Sequence, residues 1–326
     1  PMIGSDPAAD VAAAIREASA IFIACHENPD GDAIGSLLAL RSMLLSLRKR
    51  VHAAAPTPPP ERFSFLSGFD EITAEAPSWR PDLGIALDCD GPERLGDLRQ
   101  SLLAAPRVVD IDHHRGVSAF GEIRYVVPGA PATACLVMAV ARELGLCATP
   151  DQATALYAAL IADTGGFRFT NTSSEALRLG ADLVAAGADP ADVARRVFAV
   201  RPLAAARLEA RALSSLAMHD GVIIASLDRD DFAQTGADPS DTDGLIDSFR
   251  DVIGVEVAAL LKETEPDVWQ VSLRGNDVNV SSVAAHFGGG GHAFAAGCII
   301  EGGRDEVTAR LLEALGRAVG EEAGDA

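Results

Sequence analysis

Short apolar runs alternate with longer stretches whose apolar residues recur at helical spacing. Residues 21–25 (Ile-Phe-Ile-Ala-Cys), 50–55, 83–87 and 107–111 read as strands, the first and third apolar enough for burial on both faces. Between them, 33–47 carries Ile34, Leu37, Leu38, Leu44 and Leu45, a pattern that suits a packed helix. Helices are predicted over 10–19, 93–104, 132–144, 152–161 and 173–186, with Gly187 as a stop signal, and 123–127 reads as extended. The Pro-rich segment 56–60 reads as a surface connection. Strand and helix alternate up to about residue 187, which predicts an α/β domain over 1–187: a parallel sheet with helices on both faces. Residues 188–216 read as a helical connector broken at Arg201-Pro202. Beyond it, strands at 222–227, 255–261 and 268–273 and helices at 241–250, 280–287 and 306–319 predict a smaller C-terminal α/β domain over 217–326.

Composition narrows the function classes. The chain has 326 residues, 48% of them hydrophobic, enough for two substantial cores. Its formal net charge of −20 argues against coating long duplex nucleic acid, which needs an extended basic face. A short phosphorylated substrate stays compatible, because bound divalent ions supply positive charge locally. Most basic residues are arginines, which suit bidentate phosphate contacts. The five cysteines are scattered, with no Cys-x2-Cys pair, and read as reduced thiols of a cytoplasmic protein. No secretory signal and no apolar run long enough for a membrane span is visible.

The chemistry concentrates at the ends of apolar segments. His26-Glu-Asn-Pro-Asp30-Gly-Asp32 follows the first strand and opens the next helix, where α/β sheets place ligands. Alone, this loop reads equally as a helix-capping turn or as half of a metal site, with Asp30 and Asp32 turned to different ions. Asp88 and Asp90 follow the strand 83–87, and Asp112-His113-His114 follows 107–111. Parallel strand ends share one edge, so these clusters can converge. Asp163 follows a helix, so the sheet edge alone does not bring it in. Crowded carboxylates repel and raise one another's pKa, a conflict that divalent cations remove. Mixed carboxylate and imidazole donors suit Mn²⁺, with Mg²⁺ or Co²⁺ as alternatives, and the supply matches two ions sharing a bridging carboxylate. Asp90 reads as a helix N-cap before Pro92, and Asp110 as structural. His52, His219 and His286 read as surface or satisfied core residues, and Cys25 and Cys89 as small packing groups.

Taken together, these motifs resemble the DHH phosphoesterase superfamily, in particular its stand-alone NrnA-type enzymes with an associated C-terminal domain. The resemblance rests on the 26–36 loop, Asp88-Cys-Asp90, Asp112-His113-His114, Asp163-Thr-Gly-Gly-Phe167-Arg168-Phe169, Ser272-Leu-Arg274 and Gly288-Gly-Gly-Gly-His292-x-x-Ala-Ala296-Gly297. It implies that His26 and Asp30 bind a first metal, Asp32, His113 and Asp163 a second, and that Asp88 bridges them. His114 would contact the substrate phosphate, with Asp112 supporting the site. It implies hydrolysis of short oligoribonucleotides to mononucleotides and of 3′-phosphoadenosine 5′-phosphate (pAp) to AMP, without a covalent enzyme intermediate. Cyclic di-AMP or its linear product pApA is the alternative substrate, and an inorganic pyrophosphatase or a non-catalytic nucleotide-binding regulator are further alternatives. A homodimer is implied by resemblance alone. Two positions depart from the family pattern: Ser118 stands where many relatives carry Asn, and Cys135 where a Glu is usual.

The glycine run Gly288, Gly289, Gly290, Gly291 with His292 lies between apolar 280–287 and the small-residue run 293–297. Its glycines would expose backbone amides and admit a phosphate or base closely. The resemblance implies that this loop and His292 hold the substrate's end, that Arg274 holds a phosphate, and that the C-terminal domain sets substrate length.

Overall fold

The computed structural model describes residues 6–114, 120–242 and 244–322. The chain divides into two compact units, Pro1–Val200 and Arg201–Ala326.

The first unit is built from α1 (Pro7–Glu17), β1 (Ala20–Cys25), α2 (Gly31–Ser46), β2 (Arg50–Ala54), β3 (Leu83–Leu87), α3 (Arg99–Leu103), β4 (Arg107–Asp112), β5 (Ile123–Val126), α4 (Thr133–Glu143), α5 (Pro150–Asp163), α6 (Ser174–Ala185) and α7 (Pro190–Ala194). Its five strands pair in parallel in the order β2-β1-β3-β4-β5. Alternate side chains enter two cores. Ile21, Ile23, Ile85, Leu87, Val109 and Ile111 pack with α1, α2, α4, α5 and α6. Phe22, Ala24, Ala86 and Val108 pack on the other face with Leu102 of α3. Helices therefore cover both faces, as the apolar runs predict.

Helix starts follow local chemistry more than apolar spacing. Asp6 caps α1 by accepting from the Ala8 amide, with Pro7 in its first turn, so the helix begins before the 10–19 pattern. The predicted helix over 93–104 is instead a 3-10 segment, Pro92–Leu98, kinked at the non-helical Gly96 (φ 50°) and followed by α3. Gly91, not Asp90, is the N-cap there, and no side chain caps it.

The helical stretch after Gly187 does not stand apart from the units. Val193 of α7 joins the core of the first unit. A π-helical turn, Arg195–Ala199, ends it before the break at Arg201-Pro202. The next helix, α8 (Leu203–Ser214), supplies Leu208 and Ala212 to a core of the second unit.

The second unit continues with β6 (Ala217–His219), β7 (Val222–Leu227), α9 (Arg229–Thr235), α10 (Leu245–Arg250), β8 (Val257–Glu265), β9 (Val268–Gly275), α11 (Ser281–His286), β10 (Gly290–His292), β11 (Ala295–Glu301) and α12 (Arg304–Glu322). Its sheet is mixed, in the order β10-β11-β9-β8-β7-β6. α11 and α12 pack against one face, α8 and α10 against the other. The sequence pattern gives no sign of β6, α9, β10 or β11. No helix among the described residues is long and apolar enough to cross a membrane.

One contact in the first unit positions the site. α2 and α5 pack backbone to backbone: a Cβ on Gly35 would lie 2.3 Å from the Ala155 carbonyl oxygen and 2.8 Å from the Ala159 Cβ. Alanine in a helix interior is normally favoured over glycine by roughly 1 kcal/mol. Here overpacking outweighs it, so Gly35→Ala should lower stability by about 1–3 kcal/mol. Urea denaturation reads the midpoint directly, and an unchanged or higher midpoint would rule out this close approach.

Candidate metal centre

Strand register lines up three of the predicted clusters. Cys25 pairs with Leu87, and Leu87 with Ile111. The next residues, His26, Asp88 and Asp112, therefore emerge side by side along the C-terminal edge of the sheet. Asp88 takes a left-handed backbone, φ 59°, rare for a residue with a Cβ, and its amide donates to the Ile111 carbonyl (2.9 Å). Asp30 is the N-cap of α2: its Oδ1 accepts from the amides of Asp32 (2.9 Å) and Ala33 (3.0 Å). The capping reading of the loop thus holds for one oxygen of Asp30 and leaves the other unused by the cap. Asp163 is the last residue of α5. It reaches the sheet edge because α5 lies against α2, where a Cβ on Gly31 would meet the Ala162 Cβ at 2.4 Å.

The side chains form two groups with Asp88 between them. Ligand atoms of His26, Asp30 and Asp88 lie within 4.8 Å of one another, as do those of Asp32, His113 and Asp163. Asp88 Oδ2 is 3.7 Å from His26 Nε2, while its Oδ1 is 3.5 Å from His113 Nε2. His113 Nε2 is also 3.7 Å from Asp32 Oδ2 and from Asp163 Oδ2. These gaps exceed good hydrogen bonds. They approach the spacing of donors that share an ion at about 2.0–2.2 Å.

The imidazoles are oriented from behind. His26 Nδ1 lies 2.8 Å from the Glu27 carbonyl oxygen and His113 Nδ1 3.0 Å from that of Ala130. Each Nδ1–H then donates there and leaves Nε2 free as a ligand. His114 differs. Its Nδ1 is 2.7 Å from Asp112 Oδ1, which also accepts from the His113 and His114 amides. His114, Asp88 and His113 form a third group of compatible geometry. In His114 the nitrogen nearest Asp88 is Nδ1 (3.7 Å), the atom taken by Asp112, whereas His26 and His113 face Asp88 with Nε2.

Sequence reading missed the groups that hold the carboxylates. Asp32 Oδ1 accepts from Ser36 Oγ (3.0 Å) and the Ala134 amide (3.1 Å), and its Oδ2 from the Thr133 amide (2.5 Å). Thr133 Oγ1 donates to Asp88 Oδ1 (2.9 Å). Asn171 Nδ2 donates to Asp163 Oδ2 (3.2 Å). Ser36 was reachable from sequence, one turn after Asp32 on the same helix; Thr133 and Asn171 come from segments whose approach only the fold reveals.

The charges are unbalanced without a cation. Burial, joined by the charges of Asp88, Asp163 and Asp30, drives the Asp32 carboxyl well above the usual range. Burial likewise pushes Asp163 up to about 7, against the pull of His113. Burial acts upward on Asp88 too, but His26, His113 and His114 hold it below its ordinary value. The hydrogen bond to Asp112 pushes His114 up to about 9, against burial. The donor set, its spacing and its surplus of negative charge fit divalent cations.

Other expectations are met with different neighbours. Cys25 and Cys89 are buried packing groups, in opposite cores. His52 is satisfied by Thr73 and the Glu75 carbonyl, while His219 and His286 are exposed. Cys135 is buried on α4, and Ser118 lies outside the described residues.

In the second unit, the β9–β11 register alternates buried and open pairs. Leu273 with Ala296 and Val271 with Cys298 are buried; Arg274 with Ala295 and Ser272 with Gly297 lie on the more open face. Arg274 borders α10, its Nε 3.9 Å from Asp247 Oδ1. The glycine run is not a free loop. Gly290–His292 forms β10, paired with β11. The amides of Gly288 and Gly289 donate to the carbonyls of Ala285 (3.0 Å) and Ala284 (2.9 Å), closing α11, so they are not the exposed donors that the sequence suggests. A Cβ on Gly289 would sit 2.1 Å from the Gly297 carbonyl oxygen, whereas Gly290 has nothing within 4 Å. The backbone of His292 pairs with Ala295, next to Arg274 in register.

Comparison with known proteins gives a consistent result. The DHH family, N-terminal domain, matches residues 20–162, and the DHHA1 domain matches 219–321. The bifunctional oligoribonuclease and PAP phosphatase NrnA of Thermus thermophilus is 35% identical over 298 residues, covering 90% of this chain and 89% of the relative. The protein of the same name from Bacillus subtilis is 24% identical, covering 86% and 89%. The crystal structure of an exopolyphosphatase-related protein from Bacteroides fragilis superposes with a TM-score of 0.90 at 25% identity, covering 97% of this chain and 98% of that one. RecJ of Thermus thermophilus, solved with Mn²⁺, shares the fold at TM-score 0.56 and 16% identity, covering 97% of this chain and 56% of RecJ.

Asp110 generates a test that no metal enters. It is fully buried on β4, neither oxygen has a hydrogen-bond partner among the described residues, and burial with the Asp112 charge pushes it up to about 8. In the unfolded chain it ionises near pH 4, so folding loses stability as pH rises from about 4 to about 8. Asp110→Asn removes that loss. In thermal melts with EDTA, the Tm advantage of the variant should grow between about pH 5 and pH 8.5. Parallel Tm–pH curves would show that Asp110 is not held as a neutral acid.

Proposed function

The chain belongs to the DHH family, with a DHHA1 domain following, and on that premise we propose that it is a two-metal phosphoesterase acting on very short oligoribonucleotides and on pAp. The products are mononucleotides and AMP. The chemistry is carried by one observation: Asp88 stands between two ligand groups with one carboxylate oxygen toward each. The substrate class is supported by the names of the NrnA relatives, which align over nearly the whole chain.

In this reading His26 and Asp30 hold one ion, Asp32, His113 and Asp163 the other, and Asp88 is shared. When bound, such a pair supplies a nucleophilic water at neutral pH and positive charge for the phosphoryl oxygens. Mn²⁺ is the ion that the carboxylate–imidazole donor set favours. The chain's own groups do the rest. The Glu27 and Ala130 carbonyls fix the tautomers of His26 and His113. Asp112 ties Nδ1 of His114, so that Nε2 is the nitrogen left for a substrate phosphate oxygen. In the second unit Arg274 offers a planar donor fork for a phosphate. Gly288–Gly291 and His292 receive the substrate's end, with Gly290 contributing bare backbone surface in place of free amides.

A Mn²⁺-dependent panel of pAp, di- to pentaribonucleotides and cyclic di-AMP tests this. Wild type should release AMP from pAp and mononucleotides from the oligomers. Asp88→Ala and His113→Ala should each lose more than the roughly 100-fold that outer ligand supports cost. Unchanged turnover in both variants sinks the two-metal reading, and preferred turnover of cyclic di-AMP sinks the substrate assignment. A further variant isolates the second unit: His292→Ala should slow dinucleotide hydrolysis more than that of a generic aryl phosphodiester. Equal losses on the two substrates would remove its substrate-end role.

A further inference from the structure

Thr133, itself outside the ligand set, hydrogen-bonds carboxylates of both ligand groups. Its amide donates to Asp32 Oδ2 and its hydroxyl to Asp88 Oδ1. The side chain is fully buried at the first turn of α4, so no water competes for the hydroxyl. The helix start itself is unusual. Ala132, at the N-cap, offers no side-chain oxygen, and Asp32, 101 residues earlier, takes that place by accepting from Thr133 and Ala134.

The oxygen of Asp88 that Thr133 engages is the one facing His113, and the other faces His26. A partial rotation of the Asp88 carboxylate about its Cβ–Cγ bond would turn both oxygens off these directions, and the left-handed backbone at Asp88 does not lock that torsion. The Thr133 hydroxyl does: a 2.9 Å donor inside the protein fixes which lone pair stays available to each side.

Resting on the two-metal reading above, we propose that Thr133 is a positioning residue that locks the Asp88 carboxylate in its bridging orientation and sets its place relative to Asp32. The α4 terminus thereby couples the two halves of the centre. Loss of the hydroxyl should act on how ions are held together more than on whether the chain folds.

The test uses the full chain with Thr133→Val, which keeps the shape and removes the hydroxyl, and Thr133→Ser, which keeps the hydroxyl. Mn²⁺ titration calorimetry gives stoichiometry and affinity, and low-temperature electron paramagnetic resonance distinguishes spin-coupled pairs from isolated ions. Wild type and Thr133→Ser should bind two Mn²⁺ with a coupled signal. Thr133→Val should bind the second ion roughly 10–100-fold more weakly and show isolated-ion signal. Wild-type affinities and coupling in Thr133→Val overturn the proposal, as does Thr133→Ser behaving like the valine variant. A wild type that binds fewer than two Mn²⁺ overturns the underlying two-metal reading instead. Should the valine variant fail to fold, Thr133→Ala supplies the same hydroxyl deletion with the same outcomes.

Discussion

Electrostatic repulsion among buried carboxylates is the constraint around which the first unit is arranged. Asp32 and Asp88 are almost wholly inaccessible to water, and Asp163 reaches the same point from the end of another helix. Such a cluster is costly unless protons or cations neutralise it. The chain neutralises part of it locally. Amides at the starts of α2 and α4 point at Asp30 and Asp32, and hydroxyl or amide side chains reach Asp32, Asp88 and Asp163. These donors orient the carboxylates without cancelling their charge, since Asp32 and Asp163 still sit above their ordinary range. What remains is a demand for positive charge at a fixed place, the usual condition of a metal centre.

The packing that creates this demand is rigid. The site draws on three strand ends and on the facing ends of α2, α4 and α5. The strand ends are fixed by register, because Cys25, Leu87 and Ile111 lie in one row. The helix ends are fixed by contacts that tolerate no added atom, at Gly31 against Ala162 and at Gly35 against Ala155 and Ala159. The two glycines in the sequence following Asp30 therefore do different work from that of a turn: they bring the α2 terminus close enough to α5 for Asp32 and Asp163 to meet. Precision comes from regular elements and not from loops, which is where supporting shells are most dependable.

Much of this was legible in the residues. The parallel sheet followed from continuous apolar runs, and clusters after those runs located the edge where ligands gather. His26, Asp88 and His113 could be grouped for that reason alone. Asp163 could not, since a helix end has no fixed relation to a sheet edge until the helices are packed. Thr133 and Asn171 were invisible for the same reason: each is an ordinary polar residue whose partner lies far away in sequence or in another element. In the second unit, Ala295–Glu301 contains glycine and alternating small residues, weak signals for a strand, and was missed. The glycine run suggests a donor loop, but its first two amides are consumed by the end of α11, a use that depends on where that helix stops.

Cys135 bears on the same balance. It is a buried thiol on α4, pushed up to about 12 by burial and by the charge of Asp32. It stays protonated at neutral pH and adds no charge and no thiolate ligand. A carboxylate in that place would have added to the repulsion that already lifts Asp32 and Asp163, or else contributed an outer acceptor to the centre. Ser36, Thr133 and Ala134 are the donors that hold Asp32, all neutral. The orientation of the Asp32 carboxylate therefore rests on neutral hydrogen-bond donors, and on α4 beginning where it does.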